Sequence, residues 1–206
     1  MPYIRETIIT TADKAGHVHI APIGIIAEKD GWVIAPFRPS TTLDNLAQVP
    51  FAIANYTDNA RIFAGCLTGR KDWPTVAVKG VAVPRLEAAL AHSVLEVVHV
   101  DDDGLRPRHF CRVVAEENHA PFTGFNRAKA AVLELAILVS RLGMLPRDKI
   151  EAEIAYLTIS IDKTAGPEEK EAWGWLMERV GDHFTRVDAK GEDVHARPEG
   201  VLPAER

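Results

Sequence analysis

Up to about residue 121 the chain carries short hydrophobic runs of strand length, whereas later hydrophobic residues recur at helical spacing. The turn Asp101-Asp102-Asp103-Gly104 between two of the short runs favours a β-hairpin. Residues 86–91 contain good helix formers, but the adjacent hairpin favours a β-meander for that stretch. The strands predicted in this way are 6–11, 17–26, 32–37, 51–56, 76–83, 94–100 and 110–115.

The helical period begins at Asn126 and continues through three predicted helices. Pro167, directly after Gly166, is typical of the first turn of the third helix. Residues 186–206 are polar, contain Pro and Gly and lack a period, which predicts a flexible tail. Strands followed by helices indicate an α+β fold, with helices on one side or end of a β-barrel. The predicted apolar faces are Ala128, Val132, Leu135, Val139 and Leu142; Ile150, Ile154, Leu157 and Ile161; and Ala172, Leu176, Val180 and Phe184.

Composition is that of a globular protein: of 206 residues, 47% are hydrophobic and 26% charged. The net charge of −5 at pH 7 argues against a nucleic-acid-binding protein, which usually has a basic face. The most apolar long window, 130–145, is interrupted by charges and is too short to span a bilayer, so no membrane association is expected. No signal peptide is apparent and only Cys66 and Cys111 are present, so we expect a cytoplasmic protein with reduced thiols.

The stretch Arg38-Pro39-Ser40-Thr41-Thr42-Leu43-Asp44-Asn45-Leu46 is the strongest candidate for a binding site. It follows a predicted strand and begins a short helix, whose unpaired N–H groups favour an anion. Arg38 adds a cation suited to phosphate, and the three hydroxyls add short donors. Thr41 is predicted as the N-cap, with Asp44 three residues on. The same residue types also cap surface helices without a ligand, so a capped turn is the alternative interpretation.

Three segments resemble a known family. They are 6–8 with 19–24, 37–46 with Asn55 after it, and Pro121-Phe122-Thr123-Gly124-Phe125-Asn126-Arg127-Ala128-Lys129-Ala130. The chain resembles the FMN-binding split-barrel superfamily. It is most similar to a flavin-reductase-like family of unknown function found in archaea and methylotrophic bacteria. The resemblance covers roughly residues 3–184, and its last segment is the most specific.

The resemblance implies a six-stranded antiparallel split β-barrel with a C-terminal helical extension. It implies an FMN-binding barrel domain at 1–121, helices at 122–185 packed on the barrel, and the tail at 186–206. It also implies a homodimer with FMN in grooves at the interface. The phosphate would lie near the Arg38 segment, and Asn55 would approach the ring or ribitol. The implied cofactor-binding residues are Arg38, Ser40, Thr41, Thr42, Asn45, Asn55, Asn126, Arg127 and Lys129.

Other candidate chemistry in the sequence is weaker. His17 and His19 alternate on a predicted strand and could ligate a metal, but no third ligand is evident, so no metal site is expected. Residues 116–119 are interpreted as solvated charged groups at a strand end. Cys66 has no activating base nearby in the sequence. No catalytic residue is therefore assigned.

The leading hypothesis is an FMN flavoprotein, an oxidoreductase that exchanges electrons or hydride with a small-molecule donor or acceptor. In such proteins the flavin performs the redox chemistry, while the protein binds and orients it. The donor could be a nicotinamide or a deazaflavin. The alternative is a non-catalytic flavin-binding carrier or sensor.

Overall fold

This computed structural model describes residues 2–190 of the chain. Its strands are β1 (Ile4–Ala12), β2 (Val18–Glu28), β3 (Gly31–Ile34), β4 (Phe51–Tyr56), β5 (Thr75–Val76), β6 (Arg85–Leu86), β7 (Ala91–Asp101) and β8 (Arg108–Asn118). Its helices are α1 (Thr41–Gln48), α2 (Ala60–Leu67), α3 (Arg127–Val139), α4 (Arg147–Thr164) and α5 (Pro167–Lys190). The chain forms two compact units: the first extends to Gly124 without 67–69, and the second contains 67–69 and the residues from Phe125 onward.

The first unit is a closed barrel of six antiparallel strands in the order β1-β2-β3-β8-β7-β4. The barrel closes because β1 pairs with β2 along its length and with β4 through residues 8–10. The predicted six-stranded antiparallel barrel followed by C-terminal helices is confirmed.

Every barrel strand contributes to the main core cluster. That cluster contains Ile9, Ile25, Ile34, Ala52, Ala54, Leu95 and Cys111, together with Leu46 of α1. Because successive side chains of a strand point to opposite faces, the neighbours Ile8, Ile53 and Asn55 lie on the outer face. A second cluster covers that outer face, where Val83 packs with Ile53. Residues between β4 and β7 therefore shield part of the outside of the barrel.

Three local predictions for the barrel unit were wrong. Residues 76–83 do not form a barrel strand. The short strands β5 and β6 instead form a separate two-stranded sheet, and Val78 and Val81 pack against the second cluster. The run is apolar because it covers the barrel, and Gly80, at φ +78°, bends it. The third strand ends at Ile34 rather than Phe37, and helix α2 was not predicted.

Helices α3, α4 and α5 form the second unit, and their predicted inward faces are largely confirmed. Leu135 and Leu176 are fully buried, as is Ile150 to within 1%. Helix α5 continues to Lys190, past the start of the tail predicted at 186, and 191–206 lie outside the described residues. Within residues 2–190, no helix has the length and apolarity needed to cross a bilayer.

Candidate functional site

The predicted phosphate-binding segment forms the first turn of α1 in the barrel unit. The N-cap is Ser40, in extended conformation, and not Thr41 as predicted, because the helix begins one residue earlier. The Ser40 hydroxyl makes no capping hydrogen bond, although its carbonyl accepts the N–H of Asp44 at 3.1 Å. Thr41 is exposed. The first backbone N–H groups of α1 and two hydroxyls are therefore free of the usual capping bond, as an anion-binding helix start requires.

Arg38 lies beside this helix start and beside the β7–β8 turn. Its Nη2 donates to Oδ2 of Asp102 at 2.5 Å, and its N–H donates to the carbonyl of Leu105 at 3.0 Å. The two paired side chains are 46% and 48% exposed. An ion pair this exposed contributes little stability, so an incoming phosphate can compete for the guanidinium.

His109 was not identified from the sequence, although the charges of Arg38 and Asp102 act on its ring. It is 7% exposed, and its Nδ1 is buried without a hydrogen-bond partner. Burial lowers the pKa of His109, while a hydrogen bond to the Pro107 carbonyl opposes the shift. A buried, unpaired polar atom is rare in folded proteins and suggests a missing ligand. Only the β3–β8 register, which pairs Ile34 with His109, brings it to this end of the barrel.

Asn45 and Thr42 turn inward from α1. Asn45 is 5% exposed and Thr42 is 1% exposed. Nδ2 of Asn45 donates to Oγ1 of Thr11 at 3.1 Å, which fastens α1 to β1. The structure therefore gives the Asn45 amide a role in holding the helix start in place.

Asn55 is fully buried on the outer face of the barrel. Its Nδ2 donates to the carbonyls of Ile8 and Ile53 at 2.9 and 3.2 Å. Its Oδ1 accepts the N–H of Leu86 at 2.7 Å. The amide thus links β1, β4 and β6. Its contact with a cofactor stays a prediction, and the structure adds a structural role.

Asn126, Arg127 and Lys129 all belong to the helical unit. Asn126 is the N-cap of α3, where its side chain accepts the N–H groups of Ala128 and Lys129 at 2.8 and 3.1 Å. Its Nδ2 donates to the carbonyl of Thr164 at 3.1 Å. Arg127 is exposed and Lys129 half-buried. The predicted cofactor contacts of these three residues stay predictions.

A groove of about 240 Å³ opens on the barrel where β3 meets β8. Its lining residues include none of the nine predicted cofactor-binding residues; they are Glu28, Asp30, Gly31, Trp32, Val98, Phe110, Cys111 and Arg112. The Trp32 ring also lies under the guanidinium of Arg5, at 4.9 Å. The groove and the α1 site are thus separate features of one chain.

Neither cysteine is an activated nucleophile. Burial raises the pKa of Cys66 to about 11 and that of Cys111 to about 12, so both thiols are protonated near neutral pH. His17 pairs with Asp13 at 2.8 Å and is exposed, which agrees with its interpretation as a surface histidine. The predicted hairpin turn at 101–104 is confirmed, because the Asp102 and Asp103 side chains accept N–H groups of the turn.

Comparison with protein families gives two matches that together span most of the chain. Residues 5–120 match the N-terminal domain, and residues 126–178 the remaining part, of a protein of unknown function termed DUF447. The chain belongs to the DUF447 family. The family expected from the three sequence segments is thereby confirmed. A search of curated proteins found no match for this DUF447 chain.

Solved structures show the same fold. An FMN-bound DUF447 protein from Methanosarcina mazei is 20% identical, with a TM-score of 0.73 over 87% of this chain and 96% of its own. The 2-nitrobenzoate 2-nitroreductase of Pseudomonas fluorescens is 20% identical, with a TM-score of 0.49 over 58% and 66%. An NADH:FAD oxidoreductase of Streptomyces globisporus is 11% identical, with a TM-score of 0.47 over 55% and 74%. The first likeness supports the split-barrel fold of this DUF447 chain.

Proposed function

We propose that this DUF447 protein binds FMN, with the phosphate at the start of α1, and acts as an oxidoreductase through it. The observation that carries the proposal is the helix start that follows β3, with unpaired N–H groups and an exposed arginine beside it. The FMN-bound relative from Methanosarcina mazei, which shares the family and the fold, supports the choice of ligand.

The residues present fit a phosphate group in charge and in donor chemistry. Ser40 and Thr41 supply hydroxyls, Arg38 supplies a cation, and His109 supplies a buried nitrogen that lacks a partner. Asp102 opposes an anion, but it is 48% exposed and can turn toward water when a phosphate takes its place. When bound, FMN would supply the electron or hydride transfer, and the chain would bind and orient it.

The test is FMN binding by the purified protein and one variant. Arg38→Ala should weaken FMN binding by about 1.5–3 kcal/mol, the range for a hydrogen bond to a charged group. Fluorescence quenching of FMN during titration measures the affinity. Arg147→Ala is the matched control, because it removes an equally exposed arginine from a carboxylate pair in the helical unit. Equal losses in both variants, or none in Arg38→Ala, would remove Arg38 from the site.

Catalysis and carriage of FMN are distinguished by reduction. An oxidoreductase loaded with FMN should lose its visible absorbance when NADH, NADPH or a reduced deazaflavin is added without oxygen. The carrier or sensor is the second candidate, and the high pKa of both thiols favours it, since neither can act as a thiolate. A yellow protein that no donor bleaches would support the carrier.

We further propose that the protein is a homodimer. The barrel unit exposes large apolar side chains on β7 and β8, namely Val98 at 58%, Val100 at 41% and Val114 at 44%. Exposed apolar side chains that cluster are typical of interaction surfaces. Light scattering should give twice the chain mass, and Val98→Glu should shift the protein toward monomer. A parent protein that is monomeric at every concentration would contradict the proposal.

A further inference from the structure

Two histidines and a glutamate converge at one end of the β7–β8 hairpin. His92 lies on β7 opposite Glu117 of β8, and His119 follows two residues later. The N–H of His119 donates to the carbonyl of Leu90 at 2.8 Å, so the pairing continues past the end of β8. Because side chains alternate along a strand, Glu117 and His119 project from the same face as His92. That face is the outer one, since His92 also pairs with Asn55 of β4.

The ligand atoms of the three side chains are close together. Nδ1 of His92 and Nε2 of His119 are 2.8 Å apart, and the two rings are parallel to within 4°. All three potential ligand atoms lie within 4.8 Å of one another. Bonds of about 2.0–2.2 Å to one tetrahedral zinc ion place ligand atoms about 3.4 Å apart. Small rotations of the exposed Glu117 side chain and of His119 would therefore complete the set.

The chemistry of the three groups is that of a transition-metal site. His92 is 2% exposed, and burial lowers its pKa, which keeps the ring in the neutral form that binds metals. Glu117 contributes a negative charge. Arg85 is the nearby opposing charge, and its Nη1 is held by the carbonyls of Leu86 and Glu87 at 2.8 and 3.3 Å.

We propose that His92, Glu117 and His119 bind a divalent transition-metal ion of the zinc type. Three protein ligands leave a fourth position for water or another oxygen ligand, as in zinc sites that are open to a substrate. None of the three residues belongs to the proposed FMN site. The metal site is therefore independent of flavin binding. It also differs from the His17–His19 pair considered from the sequence, which lacks a third ligand.

The experiment uses the untagged full-length protein, freed of metal with a chelator and titrated with Zn²⁺ in a calorimeter. One ion should bind per chain. His119→Gln and Glu117→Gln should each weaken binding by more than the roughly 10–100-fold that loss of an outer-shell partner costs. With Co²⁺, the visible spectrum should lack a thiolate charge-transfer band, which excludes the two cysteines as ligands. His17→Ala is the matched control, because it removes an exposed histidine that pairs with a single carboxylate.

The proposal is overturned if the parent protein binds no Zn²⁺, or if both variants bind it as tightly as the parent does. Binding lost equally in His17→Ala would also overturn it. His119→Gln removes a half-buried ring, so its melting temperature in chelator is compared with that of the parent. Should that variant fail to fold, Glu117→Gln decides the question, because Glu117 is exposed.

Discussion

The role of Asn55 can be decided by replacing it with alanine. Family resemblance assigns this side chain to the cofactor, whereas the structure buries it completely and uses both ends of its amide. Asn55→Ala removes the acceptor of the Leu86 N–H and the donor to the Ile8 carbonyl, at 2.7 and 2.9 Å respectively. Those bonds hold the β6 segment and β1 to β4. The variant should therefore be less stable whether or not FMN is present.

The expected loss follows from the groups left unpaired. Each buried backbone group that loses its partner costs about 1–3 kcal/mol. Two such groups, partly relieved by water entering the vacated space, give a loss of about 2–4 kcal/mol in the free energy of unfolding. That is a large fraction of the 5–15 kcal/mol typical of a folded domain, so it should be easy to measure.

Urea denaturation of the apoprotein, followed by circular dichroism, measures this loss. Asn118→Ala is the matched control, because Asn118 is exposed at the end of β8 and its loss should stay within about 0.5 kcal/mol. The reasoning is refuted if Asn55→Ala unfolds at the same urea concentration as the parent. A variant with parental stability but weakened FMN binding would instead confirm the cofactor role.

Three further outcomes are expected. Leu135→Ala should lower the free energy of unfolding by about 2–5 kcal/mol, because the side chain is fully buried, while Glu134→Ala should leave thermal melts nearly unchanged. Burial lowers the pKa of His109, so the unfolded chain takes up a proton that the folded chain refuses; stability should fall as pH drops below about 6.5, and less so in His109→Gln. Iodoacetamide at neutral pH should leave Cys66 unmodified in mass spectra of the native protein and react after unfolding, since burial raises the pKa of its thiol to about 11; rapid native labelling would contradict that burial.

Local patterns predicted the regular elements well where a run of residues has one clear period. The strand predicted at 51–56 matches β4 (Phe51–Tyr56), and the inward face of α3 is buried at Leu135. The run at 76–83 was misassigned because apolar residues that cover a barrel look like those within one. Helix α2 was missed because Gly65 disfavours a helix locally, and its reason is tertiary: a Cβ there would meet the Trp73 ring at 2.4 Å.

The candidate site shows the same division. Residue types alone identified Arg38 and the hydroxyls at a helix start, because an N-terminus and its capping residues are local features. The partners of buried amides are not local: Asn55 and Leu86 are far apart in the chain, as are His92 and His119. No spacing rule along the sequence relates such pairs.

By itself, the sequence of this protein determined its strand and helix types, its family and the helix start proposed to bind phosphate. Each of these depends on residues that are neighbours in the chain or repeat at a fixed period. Only the tertiary structure decided the order of strands in the barrel, the burial of Asn55 and the meeting of His92 with Glu117 and His119. Hydrogen-bond register between strands sets those contacts, and register depends on the packing of the whole barrel.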